Sequence, residues 1–359
     1  MKAIITGGAG FIGSNAAVRY LKRGFEVVII DNFHRPGTRS NLEWVESCGR
    51  VTLAEIDIRN GAAVEKTIGS HRDASLVLHL AGQVAVTASI ADPRLDFETN
   101  ALGTLNVLEA MRRAGMDSLL IYSSTNKVYG EISEVAVVER PTRYEYSNLP
   151  HGVGEDHLVD FHSPYGCSKG TADQYVRDYH RIYGLNTVVF RQSCIYGTQQ
   201  FGSEGQGWIT WFLIAAELGL PLTIYGDGKQ VRDVLYIDDL LDAFDGAAER
   251  IAIARGNIYN IGGGTPNAIS LLELIDFVSK RRARPLRYTF AATRPGDQRI
   301  YVSDVRRIGS DLNWQPRVGW QEGVGIVHEW VRAHRQECAR ALGVSANAAA
   351  TRAISTGEE

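Results

Sequence analysis

Strong charge of either sign is missing from this chain. Its 38 Lys and Arg stand against 41 Asp and Glu, a formal net charge of −3. That balance gives no basic footprint for nucleic acid. Cysteine is scarce: Cys48, Cys167, Cys194 and Cys338 form no CxxC pair and no paired metal spacing. A disulfide framework and a zinc ribbon are thereby excluded, and free thiols in a reducing cytoplasm are expected. His151, His157 and His162 are irregularly spaced and have no cysteine partners, so no metal site is expected. Long apolar runs are absent as well. None approaches the roughly 20 residues that span a bilayer, and the chain reads as a soluble, cytoplasmic protein with no membrane partner. The opening MKAIITGGAGFIGS lacks the small-residue cleavage site of a secretory leader.

What is present is an ordinary globular composition, 44% hydrophobic and 22% charged over 359 residues. That length suits one large unit with a smaller lobe. Short β-branched runs predict strands over Ala3–Thr6, Glu26–Asp31, Val51–Glu55, Leu76–Leu80, Leu119–Ser123 and Thr187–Arg191. Helical patterns lie between them, among them Phe11–Arg23, Phe97–Ala114 and Tyr165–Tyr183. Alternating strands and helices imply an α/β fold, a doubly wound parallel sheet of the Rossmann type covered on both faces. Near-continuous apolar runs such as VVII fit strands buried on both sides. From about Trp208 glycines break the chain into shorter elements. The expected division is a main domain over 1–200, to which 231–260 returns, and a smaller C-terminal substrate-binding α/β lobe from 201–230 and 261–340. The small, polar stretch 345–359 is expected to be disordered.

Gly7, Gly10 and Gly13 fall as GxxGxxG between the first strand and the first helix. One glycine turns the chain, the next admits a pyrophosphate and the last lets helix and strand pack closely. Phe11 and Ile12 open the helix whose positive end would receive the phosphates. Asp31, with Asn32 beside it, closes the second strand, where a carboxylate accepts hydrogen bonds from the adenosine ribose. This pattern marks the main domain as NAD-binding. A carboxylate there favours NAD over NADP, although Arg35 and Arg39 are close enough to accommodate a 2′-phosphate. Asp57 and Ile58, after the third strand, could meet the adenine amino group; a helix N-cap is the equal alternative for Asp57. His79, inside an apolar strand, reads as a satisfied core histidine. Trp44, Trp211, Trp314, Trp320 and Trp330 read as packing residues.

Tyr165 and Lys169 stand four residues apart, which on a helix places both on one face. A phenol with a pKa near ~10 is a poor base at neutral pH, and a neighbouring ammonium is expected to lower it. A hydroxyl donor should complete such a site. Ser124 and Thr125 supply one at the end of another strand, where parallel sheets bind ligands.

TGGAGFIG, HLAG at 79–82, Asn100 with Gly103-Thr104, YSSTNKVYG at 122–130, YGCSK and FRQSCIYG together resemble the extended short-chain dehydrogenase/reductase superfamily over about residues 1–335. The resemblance implies Tyr165 as acid/base, Lys169 as its partner, Thr125 as the catalytic hydroxyl and Ser124 beside it. It implies Leu80, Ala81, Gly82, Gln83, Asn100 and Ser123 as further NAD contacts. Arg232, Arg294 and Asp297 match positions that hold the nucleotide diphosphate and ribose, and Gln206, Gly207 and Trp208 are weaker matches in the nucleotide pocket. The finer pattern, in HLAGQVAVTASI, DFHSPYGCSKG and GKQVRD, is similar to enzymes that invert C2 of a CDP-linked 3,6-dideoxyhexose through a transient keto-sugar. Departures narrow the field. Related 4,6-dehydratases follow the catalytic Thr with Asp-Glu, where Asn126-Lys127 stand here. Many UDP-galactose-type 4-epimerases carry Lys and Asn where Val84 and Cys194 stand. A 4-epimerase of another UDP-, GDP- or CDP-sugar and a non-catalytic NAD sensor remain the alternatives. The stretch 131–164 is longer than usual and could line the pocket or be a surface insertion. Family analogy also implies a homodimer or homotetramer, with the helices Phe97–Ala114 and Tyr165–Tyr183 at the contact.

Overall fold

Seven parallel strands form the main sheet, with edge-to-edge order Val51–Glu55, Glu26–Asp31, Lys2–Thr6, Leu76–His79, Leu119–Thr125, Thr187–Gln192 and Ile258–Ile261. In chain order this is 3-2-1-4-5-6-7, the doubly wound topology with its switch between the first and fourth strands. The computed structural model describes residues 1–294 and 296–344; the expected tail over 345–359 lies outside them. Register follows the apolar runs, with Ile4 opposite Val28 on one side and Val77 on the other. Ile4, Val28, Ile29, Ile30 and Val77 are all buried, as strands covered by helices on both faces require. Among the described residues no helix is long and apolar enough to cross a membrane.

A second sheet is built around Val231–Tyr236. It pairs in parallel with Cys194–Tyr196 and Ile300–Tyr301, and antiparallel with Ala268–Ser270. The stretch 131–164 carries a short hairpin, Val137–Glu139 with Tyr144–Tyr146. Tyr144 donates its N–H to Lys229 O at 3.0 Å and its hydroxyl to Asp227 at 2.5 Å. Arg143 reaches Ala268 O at 2.7 Å and Tyr146 reaches Ile300 O at 3.1 Å. These bonds tie it to the second sheet and to the turn before it, and none of its residues lines the catalytic cavity. Of the two readings, this geometry favours the surface insertion.

Two sequence expectations change in detail. The strand expected to stop at Ser123 runs on to Thr125. The helix expected to run unbroken over Phe97–Ala114 instead contains a π-turn, Glu98–Leu102, ahead of the α-helix Gly103–Arg113. His79 is fully buried with the Thr6 and Thr104 hydroxyls at 2.7 and 2.9 Å. Burial pushes its pKa down to about 3, so the ring is a neutral core group.

Candidate active site

The glycine loop has the shape a pyrophosphate needs. Gly7 takes φ 68°, the left-handed region that favours glycine. A Cβ on Gly13 would come within 2.1 Å of Gly7 O, so the helix can start this close to the strand only with glycine there. Gly10 caps the helix Phe11–Lys22 without a side-chain bond, leaving that end to a ligand. Gly13→Ala is therefore expected to strip NAD from the purified protein, read as the cofactor absorbance per chain.

Asp31 is buried and its carboxylate accepts the N–H groups of Ala9 at 3.0 Å and Phe33 at 2.8 Å. It therefore braces the glycine loop as well as standing at the ribose position. Asn32 donates to Asp57 at 2.9 Å, and Arg59 holds Asp57 in a two-pronged pair at 3.0 and 2.9 Å, lowering its pKa to about 2. Asn60, not Asp57, caps the next helix, which removes the capping alternative for Asp57. Arg39 pairs with Glu55 at 2.6 Å and Arg35 donates to Gln206 at 2.5 Å. Both cations are thus engaged away from a 2′-phosphate, which agrees with the Asp31 preference for NAD.

The catalytic side chains converge at the C-terminal edge of the sheet. The helix Ser163–Tyr183 enters through Ser163 at φ 65° and Pro164 in its first turn, a strained start of the kind that persists where packing imposes it. Tyr165 donates its N–H to Ser89 Oγ at 3.1 Å, which fixes its turn of helix. Its phenol is buried, and the Thr125 hydroxyl stands close enough to act on it electrostatically. Successive residues of a strand face opposite sides, so Ser124 points the other way and donates to Asp173 at 2.8 Å. That corrects the expectation for Ser124: its hydroxyl braces the helix, and Thr125 alone of the pair meets Tyr165.

The electrostatics also differ from the sequence expectation. Burial pushes the Tyr165 phenol up to about 12 and the Lys169 ammonium down to about 7. Lys169 donates to Ser123 O at 2.5 Å and lies 4.3 Å over the Tyr122 ring. Desolvation dominates, opposed only in part by Thr125 and the Arg35 guanidinium, and in this state Tyr165 is a neutral acid.

Asn100 sits in the π-turn, a helix defect frequent at functional sites. It accepts the Gln83 N–H at 2.9 Å and donates to Ser168 Oγ at 3.1 Å. A Cβ on Gly82 would meet Asn100 Oδ1 at 2.9 Å, with Lys169 Nζ at 3.8 Å. The path from Gly7 over Gly82 to Lys169 is thus open backbone flanked by polar side chains, which fits a dinucleotide.

Phe11, Ile12, Gly82, Thr125, Tyr165 and Lys169 line a cavity of about 250 Å³, closed on the far side by Cys194, Gln206, Gly207 and Trp208. Arg232 pairs with Asp297 at 2.6 Å, and Arg294 stacks 3.6 Å from the Tyr225 ring while holding Glu204 O at 3.1 Å. Leu80 and Ser123 lie on the same wall; Asp31, Asn32, Asp57 and Ile58 are not among its residues and stand at the ends of the second and third strands. Gln192, within FRQSCIYG, and Lys127, within YSSTNKVYG, also line the cavity, although the motifs gave neither a place in the site. Among the described residues, Gln192 Nε2 and Trp208 Nε1 are buried donors without a protein partner, as expected of groups that await a ligand. The signal for Gln192 was available: a polar residue ending an otherwise apolar strand at the ligand-binding edge. A larger cavity, about 570 Å³, lies between the helices Thr38–Cys48 and Arg335–Ala341 and contains none of the catalytic groups.

A Rossmann sheet with a Tyr–Lys helix and a facing threonine defines an extended short-chain dehydrogenase/reductase. Residues 4–327 match the family model described as GDP-mannose 4,6 dehydratase, and the chain belongs to that family. It is 45% identical over 335 residues to CDP-paratose 2-epimerase of Salmonella typhi, covering 92% of this chain and 99% of that protein. Among solved structures it resembles UDP-glucose 4-epimerase of Thermotoga maritima with UDP-glucose, at TM-score 0.81 and 29% identity over 93% of this chain and 99% of that one. It also resembles UDP-glucuronic acid 4-epimerase of Bacillus cereus in complex with UDP-glucuronic acid and NAD, at TM-score 0.80, 29% identity and the same coverage.

Proposed function

We propose that this chain is an NAD-dependent nucleotide-sugar epimerase that inverts C2 of a CDP-linked 3,6-dideoxyhexose, interconverting CDP-paratose and CDP-tyvelose. The observation that carries the substrate choice is the 45% identity, end to end, with the Salmonella typhi CDP-paratose 2-epimerase. When bound along the glycine loop and Lys169, NAD would supply the acceptor that takes the hydride and gives it back, and a positive charge favouring the phenolate. Thr125 holds the substrate oxygen, and Tyr165 takes its proton and later returns it. Lys169 fixes the ribose side of the site through its place under Ser123. The cavity walls keep the keto-sugar in place while it turns and exposes its other face. Arg232, Asp297 and Arg294 hold the nucleotide diphosphate and ribose, with Gln206, Gly207 and Trp208 in the wall facing Tyr165. We assign NAD to the main domain over 1–200, which the chain rejoins at Ile258–Ile261, and the nucleotide to the lobe, to whose sheet Val231–Tyr236 belongs, contrary to the expected return of all of 231–260.

The enzyme works in the cytoplasm as a homo-oligomer. Phe97, Tyr175, Ile182 and Tyr183 are exposed on or beside the two helices assigned to the contact, an apolar face that a second copy would cover.

Purified protein is expected to carry NAD and to epimerise CDP-paratose with no added coenzyme. Stoichiometric release of NADH would reject the epimerase reading. A panel of CDP-, UDP- and GDP-sugars separates it from a 4-epimerase, and inertness toward all of them would leave an NAD sensor.

A further inference from the structure

Lys127 is a cation in the cavity wall that the reaction as described does not use. It lies in the turn Asn126–Tyr129 directly after Thr125, and its backbone N–H is donated to Thr125 Oγ1 at 3.2 Å. Its ammonium has one hydrogen-bond partner among the described residues, Gly296 O at 3.0 Å, and no carboxylate within ion-pair range. The other cations near the cavity are committed: Arg232 to Asp297, Arg294 to Glu204, Arg35 to Gln206 and Lys169 to Ser123 O. Burial, with Arg232 nearby, lowers the Lys127 pKa to about 8. A desolvated ammonium with no carboxylate in contact, only Asp297 and Glu131 acting from farther off, is costly to keep, and the residue joins the catalytic threonine, through its backbone N–H, to Gly296, through its ammonium.

Sugar chemistry gives that place a meaning. The diphosphate hangs from C1, so a carbon next to C1 can reach Tyr165 only if the phosphate comes close to the catalytic pair. A carbon across the ring keeps the phosphate farther away. Resting on the C2 reading above, we propose that Lys127 grips the sugar-proximal phosphate of the substrate and thereby sets the ring so that C2, rather than C4, faces Tyr165. Lys127 is then a substrate-binding and specificity-determining residue, with the grip made on the diphosphate and absent on a monophosphate.

The test uses the NAD-loaded full chain, with CDP and CMP as probes in titration calorimetry. Lys127→Met should retain NAD and weaken CDP binding by about tenfold to a hundredfold, the range of a charged hydrogen bond. CMP binding should not change, and Lys127→Arg should restore most of the CDP affinity. The kcat for CDP-paratose should fall in Lys127→Met as the ring loses its register. Unchanged CDP affinity, or equal losses for CDP and CMP, would overturn the grip; an unchanged kcat would overturn the register. If wild-type protein prefers CDP over CMP through Lys127 yet never epimerises CDP-paratose, the C2 reading falls and the phosphate grip stands.

Discussion

Tyr165→Phe is expected to lower turnover about a thousandfold while leaving NAD bound and the fold intact. General acid–base groups contribute about 10²–10⁴ in rate, and no other side chain at this site can replace the phenol oxygen. Thr125 is its partner, Lys169 is held by Ser123 O, and Ser124 is turned toward Asp173. The ring itself packs beneath the cavity and stays in the variant. Burial holds the phenol well above its free value, so reaching phenolate near neutrality requires electrostatic help from a positive charge nearby. That requirement ties base strength to the oxidised cofactor, and it makes Tyr165 indispensable rather than helpful. Steady-state turnover with cofactor absorbance per chain checks it. Activity above a tenth of wild type would remove Tyr165 from the mechanism.

Arg191→Met is expected to cost about 3–5 kcal/mol of stability, the usual result of stripping one partner from a buried ion pair. The Arg191 side chain is 3% exposed and that of Asp173 is fully buried, joined by two bonds of 3.0 Å each. Arg191 also donates to the Tyr129 hydroxyl at 3.0 Å, which donates to Asn260 at 2.7 Å. This network fastens the catalytic helix to three strands of the main sheet, so the loss should appear in activity as well as in Tm. At about 2–4 °C per kcal/mol, melting should fall by roughly ten degrees in a calorimetric scan. Adding Asp173→Leu should recover part of that, because the orphaned carboxylate is then gone. A single variant melting with the wild type would show that the pair is not structural.

Much of this was legible beforehand because it rests on period and spacing. Glu26–Asp31 appears where its apolar run puts it, since a strand buried on both faces has little other choice; Val51–Glu55, a half-exposed edge strand, takes its bounds from pairing with it. Tyr165 and Lys169 share a face because helix geometry allows nothing else. What spacing cannot carry is direction and depth. Ser124 and Thr125 look interchangeable in sequence, and one step along a strand separates them. Lys169 was expected to activate Tyr165, but burial acts on both groups and is invisible in a motif. The Asn126-Lys127 pair marked only what the enzyme is not, because the meaning of Lys127 depends on Gly296, far away in the chain.

The π-turn at Glu98–Leu102 has one more consequence. Each residue in an α-helix advances the face by about 100°, and the turn holds one residue more than a regular helix would accommodate. Deleting a single amino acid there would remove that extra residue and leave a regular helix with Val107, Leu108 and Met111 still facing the core, whereas inserting one would swing that buried side out toward solvent. A one-residue deletion should therefore spare the helix and fall instead on Asn100 and its bonds to Gln83 and Ser168.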